Sequence, residues 1–184
     1  MSIALWSVAA FAATASLHLH EVTPGKSAQA RTKLEGNQIR AGGRLLVFLS
    51  PDCECSASTL SNLSDYLGSK PNIETTIYFS CPKPETSRLE GCRLWKQASS
   101  IPGAVLRVDA DGVTAQHYRA FTSGQCLLYD GPTGKLVYSG GITPGRAEVG
   151  PNRGIDALRR FERGSRVFSS FPVYGCALQG FAAG

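Results

Sequence analysis

Short apolar runs between residues 44 and 164 predict strands and helices in alternation. Residues 45–49 form a continuous apolar run, which is typical of a strand buried on both faces of a sheet. In the segment 56–67, three leucines recur at helical spacing, and the segment 73–80 is β-branched and aromatic like a strand. The pattern predicts further helices over 87–99, 113–120 and 153–163, and further strands over 104–108, 125–129 and 135–139.

This order predicts an α/β protein with a mixed central sheet and flanking helices. The turn-forming residues 130–134 suit an antiparallel hairpin, and Asn152 suits the N-cap of the last helix. Turn residues 109–112 close the third strand. The segment 165–184 is rich in Gly and Phe, and we expect an irregular tail there.

The N-terminal segment suggests export. Residues 2–17 carry no charge, which fits a signal peptide or a short membrane anchor, and 13–15 and 28–30 have the small-x-small form of a cleavage site. No Lys or Arg precedes the run, so a soluble N-terminal helix is the alternative. We therefore divide the chain into a leader or anchor with a tether (1–30), a domain (31–164) and a tail (165–184).

The charge pattern argues against nucleic acid as a partner. The formal net charge is only +5, and basic residues cluster only along the last predicted helix, where helical spacing favours a solvated face. Arg146 and Lys135 read as surface residues. The six cysteines change the picture more, because an even count in an exported protein fits disulfides.

Two cysteines, Cys53 and Cys55, stand at the first predicted strand-to-helix junction in the sequence VFLSPDCEC. Together with VDADG at 108–112 and the hairpin with its following glycines at 127–142, this motif resembles the thioredoxin fold, in the branch of TlpA-like exported thiol reductases and peroxiredoxins. The tail sequence FPVYGC, taken with 122–124 and 140–143, is similar to RedB-like bacterial proteins.

The resemblance implies a three-layer thioredoxin-like fold, with Cys53 as nucleophile and Cys55 as resolving thiol. Two departures stand out. The chain has Cys-x-Cys where the family has Cys-x-x-Cys, and Thr122-Ser123-Gly124 where the family places a cis-proline facing the cysteines. Thr122 and Ser123 are accordingly the expected substrate-binding residues.

The position of the pair also has direct chemical consequences. A helix N-terminus favours the thiolate, whereas the adjacent Asp52 and Glu54 predict a raised pKa and a slower thiol. A disulfide across one residue is strained, which predicts an oxidising or isomerising pair. We expect protein or small-molecule disulfides as partners, in the periplasm or another extracytoplasmic space, with an inner-membrane anchor if the leader is retained.

A binding function is the main alternative. Two thiolates suit a soft metal such as copper or zinc, held without turnover, and His117, Cys126 or Cys176 would have to complete the site. A third interpretation is two structural thiols in a non-catalytic domain.

The other cysteines read as accessory. A local Cys81–Cys92 disulfide fits their spacing, and Cys126 suits a buried apolar position. Cys176 either pairs with Cys126 or serves as an additional resolving thiol.

Overall fold

The protein is described here from a computed structural model. It describes Trp6, Ala10, residues 12–15, Leu19, residues 22–34 and residues 42–178. The predicted signal or anchor (2–17) therefore lies largely outside the described residues, and so do 35–41 and 179–184. Within the part that is described, no helix is both long and apolar enough to cross a membrane.

Between residues 42 and 178, the structure contains the five strands and four helical segments that the hydrophobic pattern predicts, one of these segments being divided in two, and one additional short strand near the C-terminus. Their bounds are β1 Gly43–Leu49, α1 Glu54–Gly68, β2 Ile73–Cys81, α2 Thr86–Leu89, α3 Arg93–Ser99, β3 Ala104–Ala110, α4 Val113–His117, β4 Gln125–Asp130, β5 Leu136–Gly140, α5 Arg153–Glu162 and β6 Ser169–Ser170.

The strands form one mixed sheet in the order β3-β2-β1-β4-β5-β6. The neighbours β1–β2, β2–β3 and β5–β6 are parallel, whereas β1–β4 and β4–β5 are antiparallel. The central strand β1 is buried on both faces, as its continuous apolar sequence predicts. This places the Cys53 loop, which follows β1, at the middle of one end of the sheet.

Apolar residues fill both faces of the sheet. On one face, Leu45, Val47 and Leu49 of β1 belong to a cluster that includes residues of α1, α3 and α5. On the other face, Leu46 and Phe48 pack with α4 residues and with Leu178 near the end of the described chain. The alternation along β1 follows from the two-residue side-chain period of a strand.

The sequence prediction is wrong in two places between β2 and β4. The single helix predicted over 87–99 is divided into α2 and α3, which are separated by residues 90–92. The predicted turn at 109–112 begins later, because Asp109 belongs to β3 and its buried carboxylate accepts hydrogen bonds from the N–H groups of Thr114 and Ala115 in α4. Side chain–backbone bonds of this kind are favoured at helix starts.

The described part of the predicted tether packs on the domain. Gly25 forms an isolated bridge with Val173, its N–H donating to the Val173 carbonyl at 2.7 Å. The Ala28 N–H donates to Gln125 Oε1 at 3.0 Å. The predicted irregular tail does contain a short strand, β6, and its Val173 is fully buried. Residues 25–28 and the C-terminal tail therefore meet beside the start of β4.

Candidate active site

The Cys53 loop connects β1 to α1 and is fixed by hydroxyl groups. Cys53 is the N-cap of α1 in an extended conformation, and its carbonyl accepts from the Ser56 N–H at 2.9 Å. The Ser56 hydroxyl donates to the Ser50 carbonyl at 2.7 Å, and the Ser50 N–H donates to Ser123 Oγ at 2.9 Å. These bonds hold the loop against the segment that precedes β4.

Ser123 completes this network from the opposite side. Its Oγ lies 2.9 Å from Ser56 Oγ, and both hydroxyls are fully buried. Because the Ser56 proton is already used on Ser50, Ser123 donates in this pair. Ser123 thus occupies the place facing the cysteine loop that the resemblance assigns to a cis-proline, and the described residues contain no cis peptide bond.

Thr122 and Ser123 have their polar groups engaged within the chain itself. Thr122 Oγ1 donates to the Lys26 carbonyl at 2.9 Å, and the Ser123 N–H donates to the Cys176 carbonyl at 2.8 Å. Thr122 also forms an isolated antiparallel bridge with Ala177. The backbone edge beside the cysteines, where the sequence predicts substrate contacts, is therefore covered by the tail.

Several contacts lower the pKa of the Cys53 thiol and so favour the thiolate. A hydrogen bond from the Cys55 thiol is the largest cause that lowers the pKa of Cys53 well below its ordinary value, while burial opposes it. The side chain and the backbone N–H of Cys176 lower it further, and that N–H donates to Cys53 Sγ at 3.3 Å. The N-terminus of α1 acts in the same direction.

Cys55 and Cys176 are the protonated partners of this thiolate. The hydrogen bond to Cys53 is the largest cause that raises the pKa of Cys55, and burial adds to it. For Cys176, an exposed residue whose thiol is partly covered beside Cys53, this partial burial is the largest cause of a pKa raised to about 11, and Cys53 is the second. These shifts favour a thiolate at Cys53 and protonated thiols at Cys55 and Cys176.

Arg146 is half-buried at the site, a position that the sequence interpretation of a surface residue did not include. Its guanidinium donates to the Gly175 carbonyl at 3.1 Å and to the Thr23 carbonyl at 3.2 Å. Its charge lowers the pKa of both Cys55 and Cys176, against the stronger causes that raise them. Nothing in the local sequence predicts this role, because the partners of Arg146 come from distant parts of the chain.

A side chain of α1 orients the loop that carries Arg146. Asn62 Nδ2 donates to the Ile142 carbonyl at 2.8 Å, and its Oδ1 accepts from the Gly150 N–H at 3.0 Å. In the same loop, Ala147 has a positive φ of 53°, and its backbone hydrogen-bonds to the Cys55 thiol. A strained non-glycine residue is thus held in place where it meets a thiol of the site.

The prediction that Asp52 and Glu54 raise the pKa of Cys53 is wrong, because that pKa is lowered. Neither carboxylate is among the causes that shift the pKa of Cys53. Both side chains are exposed, and Glu54 lies 3.7 Å from the guanidinium of Arg93. Water screens an exposed charge, so these carboxylates have little effect on a buried sulfur that direct hydrogen bonds already stabilise.

All six cysteines are free thiols in this structure. The predicted Cys81–Cys92 disulfide is not formed; Cys92 is instead the N-cap of α3, with its Sγ accepting from the Trp95 N–H at 3.4 Å. Cys126 is fully buried, as predicted, and its thiol donates to the Gly124 carbonyl at 3.6 Å. Of the two roles predicted for Cys176, its contact with Cys53 favours the resolving thiol.

The described residues do not form the metal site that the binding alternative requires. Among the described residues, no group of three or more His, Cys, Asp or Glu side chains is arranged to hold a metal ion. His117 is exposed at the end of α4, and its ring stands edge-on to Tyr118 at 5.1 Å between centroids. Among the described residues, His117 therefore contacts Tyr118 and does not form a group of possible metal ligands with Cys53 and Cys55.

Comparison with known proteins finds solved structures of similar fold at low sequence identity. No family model and no curated protein matches the sequence. A hypothetical protein of Sinorhizobium meliloti 1021 has a similar structure, with 20% identity, a TM-score of 0.60, and 89% of this chain and 97% of that chain covered. An uncharacterised conserved protein of Geobacillus kaustophilus has 17% identity and a TM-score of 0.61, with 88% of this chain and 94% of that chain covered.

A thioredoxin-like protein of Aeropyrum pernix also matches, at 13% identity and a TM-score of 0.48, over 86% of this chain and 98% of that chain. At these identities the similarity concerns the fold alone. The mixed sheet, its flanking helices and the cysteine loop between β1 and α1 make this a thioredoxin-like fold, as the sequence resemblance implies.

Proposed function

We propose that this thioredoxin-like protein is a thiol-disulfide oxidoreductase in which Cys53 is the nucleophile and Cys55 the resolving thiol. One observation carries the proposal: at the N-cap of α1, Cys53 Sγ accepts a hydrogen bond from the Cys176 N–H at 3.3 Å, and the neighbouring Cys55 and Cys176 thiols also lower its pKa. Such an arrangement stabilises a sulfur anion, and the thiolate is the form that attacks disulfides.

The reaction requires two exchanges. The Cys53 thiolate attacks one sulfur of a substrate disulfide, forms a mixed disulfide and releases the other substrate sulfur as a thiolate. Cys55 then loses its proton and attacks Cys53 Sγ, which expels the second substrate thiolate and leaves a Cys53–Cys55 disulfide. Two electrons pass from the protein to the substrate, and an external thiol or dithiol restores the reduced pair.

Once Cys53 is in the mixed disulfide, its negative charge is gone. The two causes that Cys53 contributes to the raised pKa of Cys55 then disappear, whereas the opposing effects of Ala147 and Arg146 remain. Cys55 becomes easier to deprotonate when its attack is needed. The high pKa of Cys55 in the reduced protein is therefore compatible with a resolving role.

Stoichiometric and catalytic reduction of a disulfide test the proposal. The reduced full chain is mixed with oxidised glutathione, and the products are alkylated and mapped by peptide mass spectrometry. We expect a Cys53–Cys55 disulfide in the wild type and catalysis of insulin reduction by dithiothreitol, both lost in Cys53→Ser. Cys92→Ser is the matched control, because serine retains the cap of α3.

The same preparation tests the soft-metal alternative. If Cys53 and Cys55 stay unlinked in oxidised glutathione, yet resist alkylation until a chelator removes copper or zinc, the oxidoreductase proposal fails. If they are unlinked and freely alkylated, and Cys53→Ser has no effect, the structural-thiol interpretation holds.

The proposal includes an extracytoplasmic location, for which the support is the N-terminal sequence. The uncharged, apolar segment 2–17 fits an export signal or anchor. Protein or small-molecule disulfides would then be the substrates, since disulfides persist in oxidising compartments. Cell fractionation of the full chain with a C-terminal tag tests the location.

A further inference from the structure

We propose that Cys176 is a third redox-active residue, which forms a disulfide with Cys53 and thereby connects the buried pair to thiols in solution. This inference builds on the proposed function, because it assumes that Cys53 exchanges disulfides. It concerns the route by which electrons enter and leave. The observation behind it is the contact between the tail and the nucleophile.

The tail brings Cys176 to Cys53 through bonds on several sides. The Cys176 N–H donates to Cys53 Sγ at 3.3 Å, while its carbonyl accepts from the Ser123 N–H at 2.8 Å. On either side of Cys176, Arg146 holds the Gly175 carbonyl and the Leu178 N–H donates to the Phe121 carbonyl at 2.9 Å. Cys176 is therefore positioned by its neighbours and does not lie beside Cys53 by chance.

Gly175 makes this close approach of the tail possible. A Cβ at position 175 would overlap the Ser123 carbonyl oxygen. Only glycine lets the tail backbone lie flat against the segment that faces the cysteine loop. The absence of a side chain at Gly175 thus allows the next residue, Cys176, to contact Cys53.

The three thiols differ sharply in access to solvent. Cys53 is 1% exposed and Cys55 is 6% exposed, whereas Cys176 lies on the surface. The tail therefore leaves a Cys53–Cys55 disulfide less accessible to an external thiol than Cys176 is. A Cys53–Cys176 disulfide would present one of its two sulfurs to solvent.

Reduction of the Cys53–Cys55 disulfide through Cys176 takes three thiol-disulfide exchanges. A Cys53–Cys55 disulfide is attacked at Cys53 by the Cys176 thiolate, which gives a Cys53–Cys176 disulfide and a Cys55 thiol. An external thiolate attacks Cys176 Sγ and expels the Cys53 thiolate. A second external thiol then reduces the mixed disulfide on Cys176. Two external thiols become one disulfide, and two protein cysteines are reduced.

Electrostatics favours attack at Cys176 over attack at Cys53. Hydrogen bonds from Cys55 and from the Cys176 backbone stabilise the Cys53 thiolate, and a thiolate of low pKa leaves more rapidly. When Cys53 is in a disulfide, its contributions to the raised pKa of Cys176 are absent, and Arg146 still favours the Cys176 thiolate. Cys176 becomes more reactive in the state in which it must attack.

The first test traps the intermediate in the full chain. Reduced Cys55→Ser is treated with oxidised glutathione, alkylated and mapped by mass spectrometry. We expect a Cys53–Cys176 disulfide with no glutathione retained. Glutathione that stays on Cys53 or Cys176 without an internal disulfide would overturn the inference. The proposed function fails separately, if the wild type forms no Cys53 disulfide at all.

The second test measures the route in the otherwise intact site and stays informative if Cys55→Ser folds poorly. Oxidised wild type and Cys176→Ser are reduced by excess glutathione, and the appearance of free Cys53 is followed. We expect the substitution to slow reduction about tenfold, because an intramolecular thiol acts at a high effective concentration. The neighbouring Ala177→Ser is the matched control and keeps the wild-type rate. Equal rates in all three proteins would refute the role of Cys176.

Discussion

The backbone N–H of Cys176 donates to Cys53 Sγ at 3.3 Å, although the two residues are separated by 123 positions in the chain. The C-terminal tail is therefore part of the site at the start of α1. It contributes a donor that lowers the pKa of Cys53, and it also covers the sulfur. The tail therefore affects both the pKa of Cys53 and access to its sulfur.

The lowered pKa of Cys53 predicts an unusual pH titration. A thiol with a lowered pKa keeps its negative charge as the pH falls below the ordinary thiol range near ~8.5. The ultraviolet thiolate absorbance of the reduced protein should therefore show a step well below that range, which is absent in Cys53→Ser and present in Cys92→Ser. A single step in the ordinary range would contradict the hydrogen-bonded thiolate.

Removal of the Cys55 donor should raise the pKa of Cys53. The thiol of Cys55 is the largest cause of the lowered pKa, and alanine cannot donate a hydrogen bond. In Cys55→Ala, the low-pH step of the thiolate absorbance is expected to move upward. In Cys55→Ser, which keeps an O–H donor, it should move less. If both variants titrate alike, hydrogen bonding by Cys55 is not the cause.

Loss of the Ser123 hydroxyl should destabilise the fold. Ser123 Oγ accepts from the Ser50 N–H and bonds to the Ser56 hydroxyl, and the site is buried. Ser123→Ala leaves that N–H without its partner, which costs about 1–3 kcal/mol in free energy of unfolding. Urea denaturation measures the loss. Ser87→Ala, at an exposed position, is the control and should unfold like the wild type.

A side chain at position 175 should displace the tail. The Cβ of Gly175→Ala would overlap the Ser123 carbonyl, whereas the Cβ of Gly68→Ala meets nothing within 4 Å. We therefore expect Gly175→Ala to expose Cys53 and to accelerate its alkylation by a bulky maleimide, with no change in Gly68→Ala. An unchanged rate in Gly175→Ala would mean that the tail does not shield Cys53.

The segment before residue 31 should contribute to stability. Gly25, Lys26 and Ala28 form hydrogen bonds with Val173, Thr122 and Gln125, respectively. A chain that begins at Arg31 loses these bonds, each worth about 0.5–1.5 kcal/mol, and should melt at a lower temperature than one that begins at Val22. Equal melting temperatures would show that the segment is only a linker.

Local sequence patterns predict the position of Cys53 but not its contact with the tail. The position of Cys53 at the start of a helix follows from the apolar run of β1 and the leucine spacing of α1, both of which are local patterns. The contact between Cys53 and Cys176 does not follow, since six cysteines allow many pairings and no local pattern distinguishes them. The same limit applies to Arg146, whose partners Thr23 and Gly175 lie far from it in the chain.

The amino-acid sequence by itself determined the α/β class, the succession of the first five strands along the chain and the place of the cysteine pair, because hydrophobic periodicity is set by neighbours along the chain. It misjudged the direction of the Cys53 pKa shift, since the charged side chains next to it in sequence are exposed to water. The tertiary structure alone decided which donors reach that sulfur and what covers it. Both depend on contacts between residues far apart in the chain, which form only when the sheet brings the tail, the Arg146 loop and α1 together.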